Sequence, residues 1–505
     1  MKLIKKIAAI MLSVMMVLGM ASMVSADETE SGTSTANTGT ITINNAIPGQ
    51  TYKIYKILEL ESFSGKSSTG TNTGNYAYKV ADRWNGFITT GEGNDYLEIK
   101  DGYVNWKGET DEARIAKFAK KALAYANTQN PIIKSDDSQV ASAAAEGATT
   151  STVTFSGLSL GYYLVDSSVG ALCSLDTTAK DVSIQEKNGV PSVEKKVQED
   201  STSAWGDSNT ADVGQTVNFQ TTITAQPGAQ NYVLHDKMDE RLTFTDGSVA
   251  VKFKSGETEN NLTENTEYTL TTSGLSDGCA FEIAFIQNFC DTLKANDQII
   301  VTYSATLADD AAPKKEYKNE TWLKYGDNKE TTHDTTTTKT FELPVFKYTK
   351  DGTNEKALAG AIFTLSKNTD GTDQINLVMT SEENALEGTY RVAKSGETGT
   401  VTTVTTPDSG KFTIKGLDAD TYYLTETQQP AGYNKLSAPI TVVIDKDGAI
   451  KVDGAQTATA EVKVLNNTGT ILPTTGGNGT SLIYFLGAIL ALGSGVVLIT
   501  KQRMR

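Results

Sequence analysis

Residues 410–426, GKFTIKGLDADTYYLTE, hold two short runs of β-branched and aromatic residues on either side of a Gly- and Asp-containing turn. Alternate residues of each run share a face, as in paired strands with one face in a core. Working outward, the same pattern recurs in TGTITIN, STVTFSG, QTVNFQTTIT, QIIVTYSATL and PITVVID, broken by Gly, Asn, Asp and Ser. It predicts antiparallel β-sandwiches. One stretch departs from it: in DEARIAKFAKKALAYAN (residues 111–127), Ile115, Phe118, Ala122 and Tyr125 recur at helical spacing. A helix is expected there, inserted across the first domain. GLSLGYYLVD (157–166) and GLDADTYYLTE (416–426) share a turn, a Tyr-Tyr-Leu strand and a terminal acid, so the first and third domains read as variants of one sandwich.

The 505 residues leave room for about three domains. Polar segments at Gly189-Val190-Pro191 and along the Thr-rich run Thr331 to Thr340 read as junctions. They give domains at 27–188, 189–342 and 343–471. A net charge of −16 opposes phosphate backbones, which excludes nucleic acid as a main partner. The two histidines, His235 and His333, are far apart with no neighbouring Cys pair. A His-rich zinc site or a Cys/His nucleophile is not expected, and no metal or cofactor is called for. Cys173, Cys279 and Cys290 are too few for a disulfide framework. Cys279 and Cys290 read as buried free thiols, with a pair between them in the middle domain as the alternative.

Both ends carry addresses. Residues 1–26 begin with Lys2, Lys5 and Lys6, continue as an apolar run and reach Val24-Ser25-Ala26, the pattern of a secretory signal peptide cut before Asp27. Residues 27–37 are expected to be flexible. At the other end, Leu472-Pro473-Thr474-Thr475-Gly476 precedes an apolar stretch, 482–499, and then Lys501, Arg503 and Arg505. As a helix, that stretch would span about 27 Å, enough to cross a bilayer core, with the basic tail inside. The whole of 472–505 resembles the cell-wall sorting signal of Gram-positive bacteria, cut by sortase transpeptidases between Thr and Gly. The resemblance implies that Thr475 becomes the new C-terminus, anchored to peptidoglycan.

The third domain opens with LPVFKYTKDG and closes with EVKVLNNTG. Strand parity puts Lys347 on the face of Val345, and Asn466 on that of Val462 and Val464. A lysine in a sandwich core is an anomaly. With YYLTE placing Glu426 between these strands, the domain closely resembles the Cna B-type immunoglobulin-like module, whose "E-box" is Tyr422 to Glu426 here. The resemblance implies a spontaneous isopeptide bond between Lys347 and Asn466, promoted by Glu426. In the middle domain, parity favours Lys195 over Lys196 as the inward lysine of PSVEKKV. YKNETWLKY supplies Asn319 on an expected last strand, and VLHDKMDE supplies an acid. This resembles the Cna A-type isopeptide domain, whose acid is an aspartate: Asp236 is favoured, with Asp239 as the alternative. Burial disfavours both charged forms, leaving a neutral amine and a protonated carboxyl. The first domain departs from this rule, since its expected first strand, Thr40 to Asn45, has no lysine. Although Asp166 occupies the E-box-like position, no bond of this geometry is expected there.

The order of modules is similar to that of backbone (major) pilins of sortase-assembled pili. The resemblance implies an all-β fold of tandem immunoglobulin-like (Cna-type) sandwiches and a covalent polymer of identical subunits built by a pilin-class sortase. A housekeeping sortase would anchor it, and minor or tip pilins are possible partners. In such pilins a lysine within a VxVYPK-like motif accepts the Thr of the next subunit. DVSIQEKNG offers Lys187, with Val182 and Ile184 at the apolar positions and Gln185 and Glu186 replacing Tyr and Pro. Lys187 is expected to point outward beside a flexible Asn188-Gly189, with Lys196 as the nearest competitor. The rival reading is a monomeric wall-anchored adhesin or stalk. Turnover as an enzyme is not expected. DKDG (Asp445 to Gly448) and YGDN (Tyr325 to Asn328) read as turns.

Overall fold

The computed structural model describes residues 38–468, apart from 65–74, 109–111, 168–169, 174–180, 328, 381–387 and 458. The signal peptide, the LPTTG motif, the 482–499 stretch and the basic tail lie outside the described residues. Among those described, no helix is long and apolar enough to cross a membrane.

Apart from a two-stranded hairpin, Leu97–Lys100 with Tyr103–Trp106, the described strands fall into three successive pairs of sheets, and the chain is a tandem array of β-sandwiches. The first pair uses strands between Thr38–Ala46 and Asp181–Gln185, the second those between Ser192–Gln198 and Asp334–Lys339, and the third those between Phe341–Asp351 and Val462–Leu465. Alternation builds each core. In Gln298–Leu307, QIIVTYSATL, every second residue is buried, and Ile299, Val301, Tyr303, Ala305 and Leu307 meet the facing sheet. The helix forms at Glu112–Thr128 and seats Phe118, Ala119 and Ala122 against Phe87 and Trp84 in a core of the first domain.

Pairing is mixed rather than purely antiparallel. In the third sandwich the first and last strands lie side by side and parallel, with Lys347 opposite Val464. The first sandwich repeats this closure, with Thr38–Ala46 parallel to Asp181–Gln185. The Thr-rich run leads up to the third sandwich, which opens at Phe341, but part of it is a strand rather than a polar link. Asp334–Lys339 is a strand between Tyr317–Tyr325 and Ser208–Thr210, with Thr336 and Thr338 fully buried. Threonine is β-branched and pairs well, so a run that looks polar by composition packs as a strand. Asn319 therefore lies on an interior strand rather than the last one of its sandwich. The second and third sandwiches meet through Val213 N–H to Gly416 O (3.0 Å), Asp418 N–H to Asp212 Oδ1 (2.7 Å) and Lys394 with Asp309 (2.7 Å).

Candidate functional site

Parity decides what each core receives. On Phe341–Asp351, Leu343, Val345 and Lys347 are all buried, the lysine completely. On the neighbouring strand Val462, Val464 and the following Asn466 are buried on the same face, and Asn466 N–H donates to Tyr348 O at 3.0 Å. Lys347 N–H bonds to Gly410 O at 2.7 Å. Gly410 is at φ +68°, and a Cβ there would stand 2.4 Å from Lys347 O, so glycine is what lets this loop close on the lysine.

Glu426 comes from the facing sheet and is 1% exposed. Its Oε1 stands 3.0 Å from Lys347 Nζ and accepts from Asn466 Nδ2 at 2.8 Å, while Oε2 is held by Leu436 N–H at 2.8 Å. Lys347 Nζ also hydrogen-bonds Asn466 Oδ1 and lies 5.5 Å over the Phe363 ring. Burial pushes the Lys347 ammonium below its ordinary value, against the pull of Glu426.

The second cluster is assembled differently. Lys195 and Tyr303 belong to one sheet of the middle sandwich, Asp236 and Asn319 to the other, and all four side chains meet between them. Lys195 Nζ is 2.5 Å from Asp236 Oδ2. Tyr303 Oη hydrogen-bonds both Lys195 Nζ and Asp236 Oδ2, and accepts from Asn319 Nδ2 at 3.3 Å. Burial lowers the Lys195 pKa and raises that of Asp236, each against the attraction of the other. Asp236 Oδ1 and Asn319 Oδ1 are both buried without a hydrogen-bond partner. A proton on Asp236 Oδ1 would convert one of these acceptors into a donor, and the neutral acid is the form that burial favours.

Asp239 is not in this cluster: it is half-buried, and its Oδ1 accepts Arg241 N–H at 3.0 Å in a turn. Lys196 points outward to Asp207 (2.8 Å) and Glu194 (3.1 Å). Tyr303 escaped the sequence reading. Its one signal was a phenol at an inward position of an otherwise apolar alternating strand, QIIVTYSATL, where a buried hydroxyl needs a partner.

In the first sandwich Asp166 is buried, and burial pushes its carboxyl up to about 7. Lys53 is opposite it on the adjacent strand, but its ammonium pairs with Asp327 of the second sandwich. Lys187 is exposed just past the Asp181–Gln185 strand. The chain around it is tied down: Glu186 N–H bonds Asn44 O (2.9 Å), Asn188 N–H bonds Glu186 Oε1 (2.9 Å), and Gly189 N–H bonds Pro227 O (3.2 Å). Asn188-Gly189 is thus anchored, contrary to the flexible link expected. Cys279 and Cys290 are free thiols, Cys290 buried and Cys279 half-buried. DKDG is a turn in which Asp445 Oδ1 accepts from Asp447 and Ala449 N–H (3.0 and 2.8 Å).

Residues 344–458 match the SpaA family of prealbumin-like fold domains. No curated protein matches the chain. Among solved structures, the pilus 2b backbone protein of group B streptococcus is 24% identical over 55% of this chain and 99% of its own, with a TM-score of 0.41. The T6 backbone pilin of Streptococcus pyogenes is 16% identical over 80% of each chain (TM-score 0.48). The major pilin SpaD of Corynebacterium diphtheriae is 16% identical over 86% of this chain and 98% of its own (TM-score 0.41).

Proposed function

We propose that this chain is the shaft subunit of a sortase-assembled covalent pilus on a Gram-positive cell wall, with domains at 27–188, 189–342 and 343–471 stiffened by Lys195–Asn319 and Lys347–Asn466 isopeptide bonds. The observation that carries the reading is the position of Glu426 Oε1, within hydrogen-bonding reach of both the attacking amine and the amide nitrogen that would leave.

Chemically, the neutral Lys347 amine attacks Asn466 Cγ, forming a C–N bond and a tetrahedral centre whose oxygen becomes anionic. Glu426 takes a proton from the attacking nitrogen and delivers one to Nδ2. The Cγ–Nδ2 bond breaks, ammonia leaves and a secondary amide remains. Asp236 plays this part in the middle domain, with Tyr303 Oη holding the acid against Lys195 Nζ. Each reaction occurs once, within one molecule, so this is self-modification without turnover.

The LPTTG motif, apolar stretch and basic tail support sortase cleavage after Thr475 and transfer of that carbonyl to an amine on the next subunit. Lys187 is the favoured acceptor, exposed on a short segment whose neighbours on both sides are fixed. Joining a terminus to a different patch is a heterologous contact that does not close, which makes a fibre. Pilin-class and housekeeping sortases, peptidoglycan and minor or tip pilins are the partners this implies. Immunoblotting of wall extracts boiled in detergent tests it: a covalent polymer gives a high-mass ladder, and a single band would leave a wall-anchored monomer instead.

A further inference from the structure

On the outer face of the middle sandwich, His235 is 4% exposed and lies between Glu282 on one neighbouring strand and Trp322 on the other. Its ring is stacked on the Trp322 indole (5.0 Å between centroids, 6° between planes), with His333 stacked on the same indole at 4.5 Å. The ring orientation is therefore fixed. Nδ1 faces Asp277 Oδ2 at 2.9 Å, Glu282 Oε1 at 3.1 Å and Cys279 Sγ at 3.8 Å. All four candidate donor atoms lie within 4.8 Å of one another. The Asp277-Gly278-Cys279 turn brings two of them round to the histidine, with Gly278 at φ +78°. Asp277 Oδ1 is occupied by Cys279 N–H (3.1 Å), which leaves Oδ2 turned to the site.

Hydrogen bonding alone accounts poorly for this arrangement. Nδ1 carries at most one hydrogen, yet two carboxylate oxygens crowd it; the Cys279 thiol bonds the Asp277 side chain, and Lys237 Nζ lies 3.4 Å from the Asp277 backbone oxygen. A divalent cation at the centre would satisfy both oxygens, the nitrogen and the sulfur together. A tetrahedral zinc site with these donors has edges of about 3.3 to 3.7 Å, against 2.9, 3.1 and 3.8 Å from Nδ1 to the other three donors and an upper bound of 4.8 Å for the rest. Imidazole and thiolate donors disfavour calcium and magnesium, which take all-oxygen shells, and suit zinc and its borderline neighbours.

We propose that His235 Nδ1, Asp277 Oδ2, Cys279 Sγ and Glu282 Oε1 form a binding site for a zinc-class divalent cation. Binding draws a proton from the Cys279 thiol to solvent and leaves a metal thiolate. The ion staples the 277–279 turn to the strand that carries Asp236, whose backbone oxygen already accepts Ala280 N–H at 2.7 Å. It also shields Cys279 from alkylation and oxidation.

The test is titration of Co2+ into the metal-free full chain, followed by near-ultraviolet thiolate-to-cobalt absorption. The expected result is a band saturating at one equivalent, erased by one equivalent of Zn2+ and absent in Cys279→Ser. Glu282→Gln should weaken binding by at least about tenfold while leaving the fold intact by circular dichroism. Zn2+ should also slow iodoacetamide labelling of Cys279 in the wild type, a readout that needs no variant. Absence of a band, a band that survives in Cys279→Ser, or labelling indifferent to Zn2+ would each overturn the proposal.

Discussion

Asp236→Asn keeps the shape of the buried acid and removes its proton chemistry, so Lys195 and Asn319 should stay unjoined. Each bond expels one ammonia, about 17 Da, and the exported wild-type chain should weigh about 34 Da less than its sequence. The variant should regain about 17 Da of that. The lost link closed a loop of about 125 residues, worth about 5 kcal/mol of chain entropy on a scale set by disulfides. For a domain of this size that corresponds to a fall of about 10 to 20 °C in the middle-domain transition. A further cost arises because Lys195 Nζ, fully buried and 2.5 Å from Asp236 Oδ2, is left as a free amine facing an amide in place of the acid it hydrogen-bonds. Asn319→Ala separates the two effects, since it blocks the bond but keeps the Lys195–Asp236 pair: it should show the crosslink loss with less of the orphaned-amine penalty. Intact-mass spectrometry and calorimetry read both quantities. A full 34 Da deficit surviving in Asp236→Asn would refute the role given to this acid.

Glu426→Gln should restore only the third-domain ammonia, leaving a deficit of about 17 Da, because the two clusters share no residue. Lys187→Ala, expressed in the native host, should abolish the polymer ladder and leave wall-anchored monomer; an undiminished ladder would assign the acceptor to another lysine. In single-molecule pulling, the Lys195–Asn319 link shields the residues between them, but the Asp334–Lys339 strand lies beyond it. The middle domain should release only about 20 residues, roughly 70 Å, and full unravelling would refute the crosslink. Burial holds Asp166 at about 7 when folded, above its unfolded value near 4, so the native state binds this proton more tightly. Its stabilising contribution is complete below about pH 4 and is lost as pH rises to 7. Asp166→Asn should flatten that slope in the first-domain thermal transition and raise its midpoint at pH 8.

Alternation along single strands was legible in the sequence because its period of two is local. It put Lys195, Lys347 and Asn466 inward before any partner was known, and hydrophobic spacing located the helix that forms at Glu112–Thr128. Composition misled where chemistry and shape diverge: the threonines of Asp334–Lys339 look like a polar junction yet are packed as a strand. Cross-strand register and sheet-on-sheet packing were not legible, since they depend on residues tens to hundreds of positions apart. Only the tertiary structure puts Asp236, and not Asp239, beside Lys195, brings Tyr303 to Lys195 within one sheet and across the sandwich to Asp236, and sets the Lys347–Asn466 pair within one sheet but Lys195 and Asn319 on opposite ones. The same long-range pairing closes the 44-residue gap between His235 and Cys279 to 3.8 Å. Spacing along the chain had argued against any such meeting; strand pairing and the turn at Gly278 produce it.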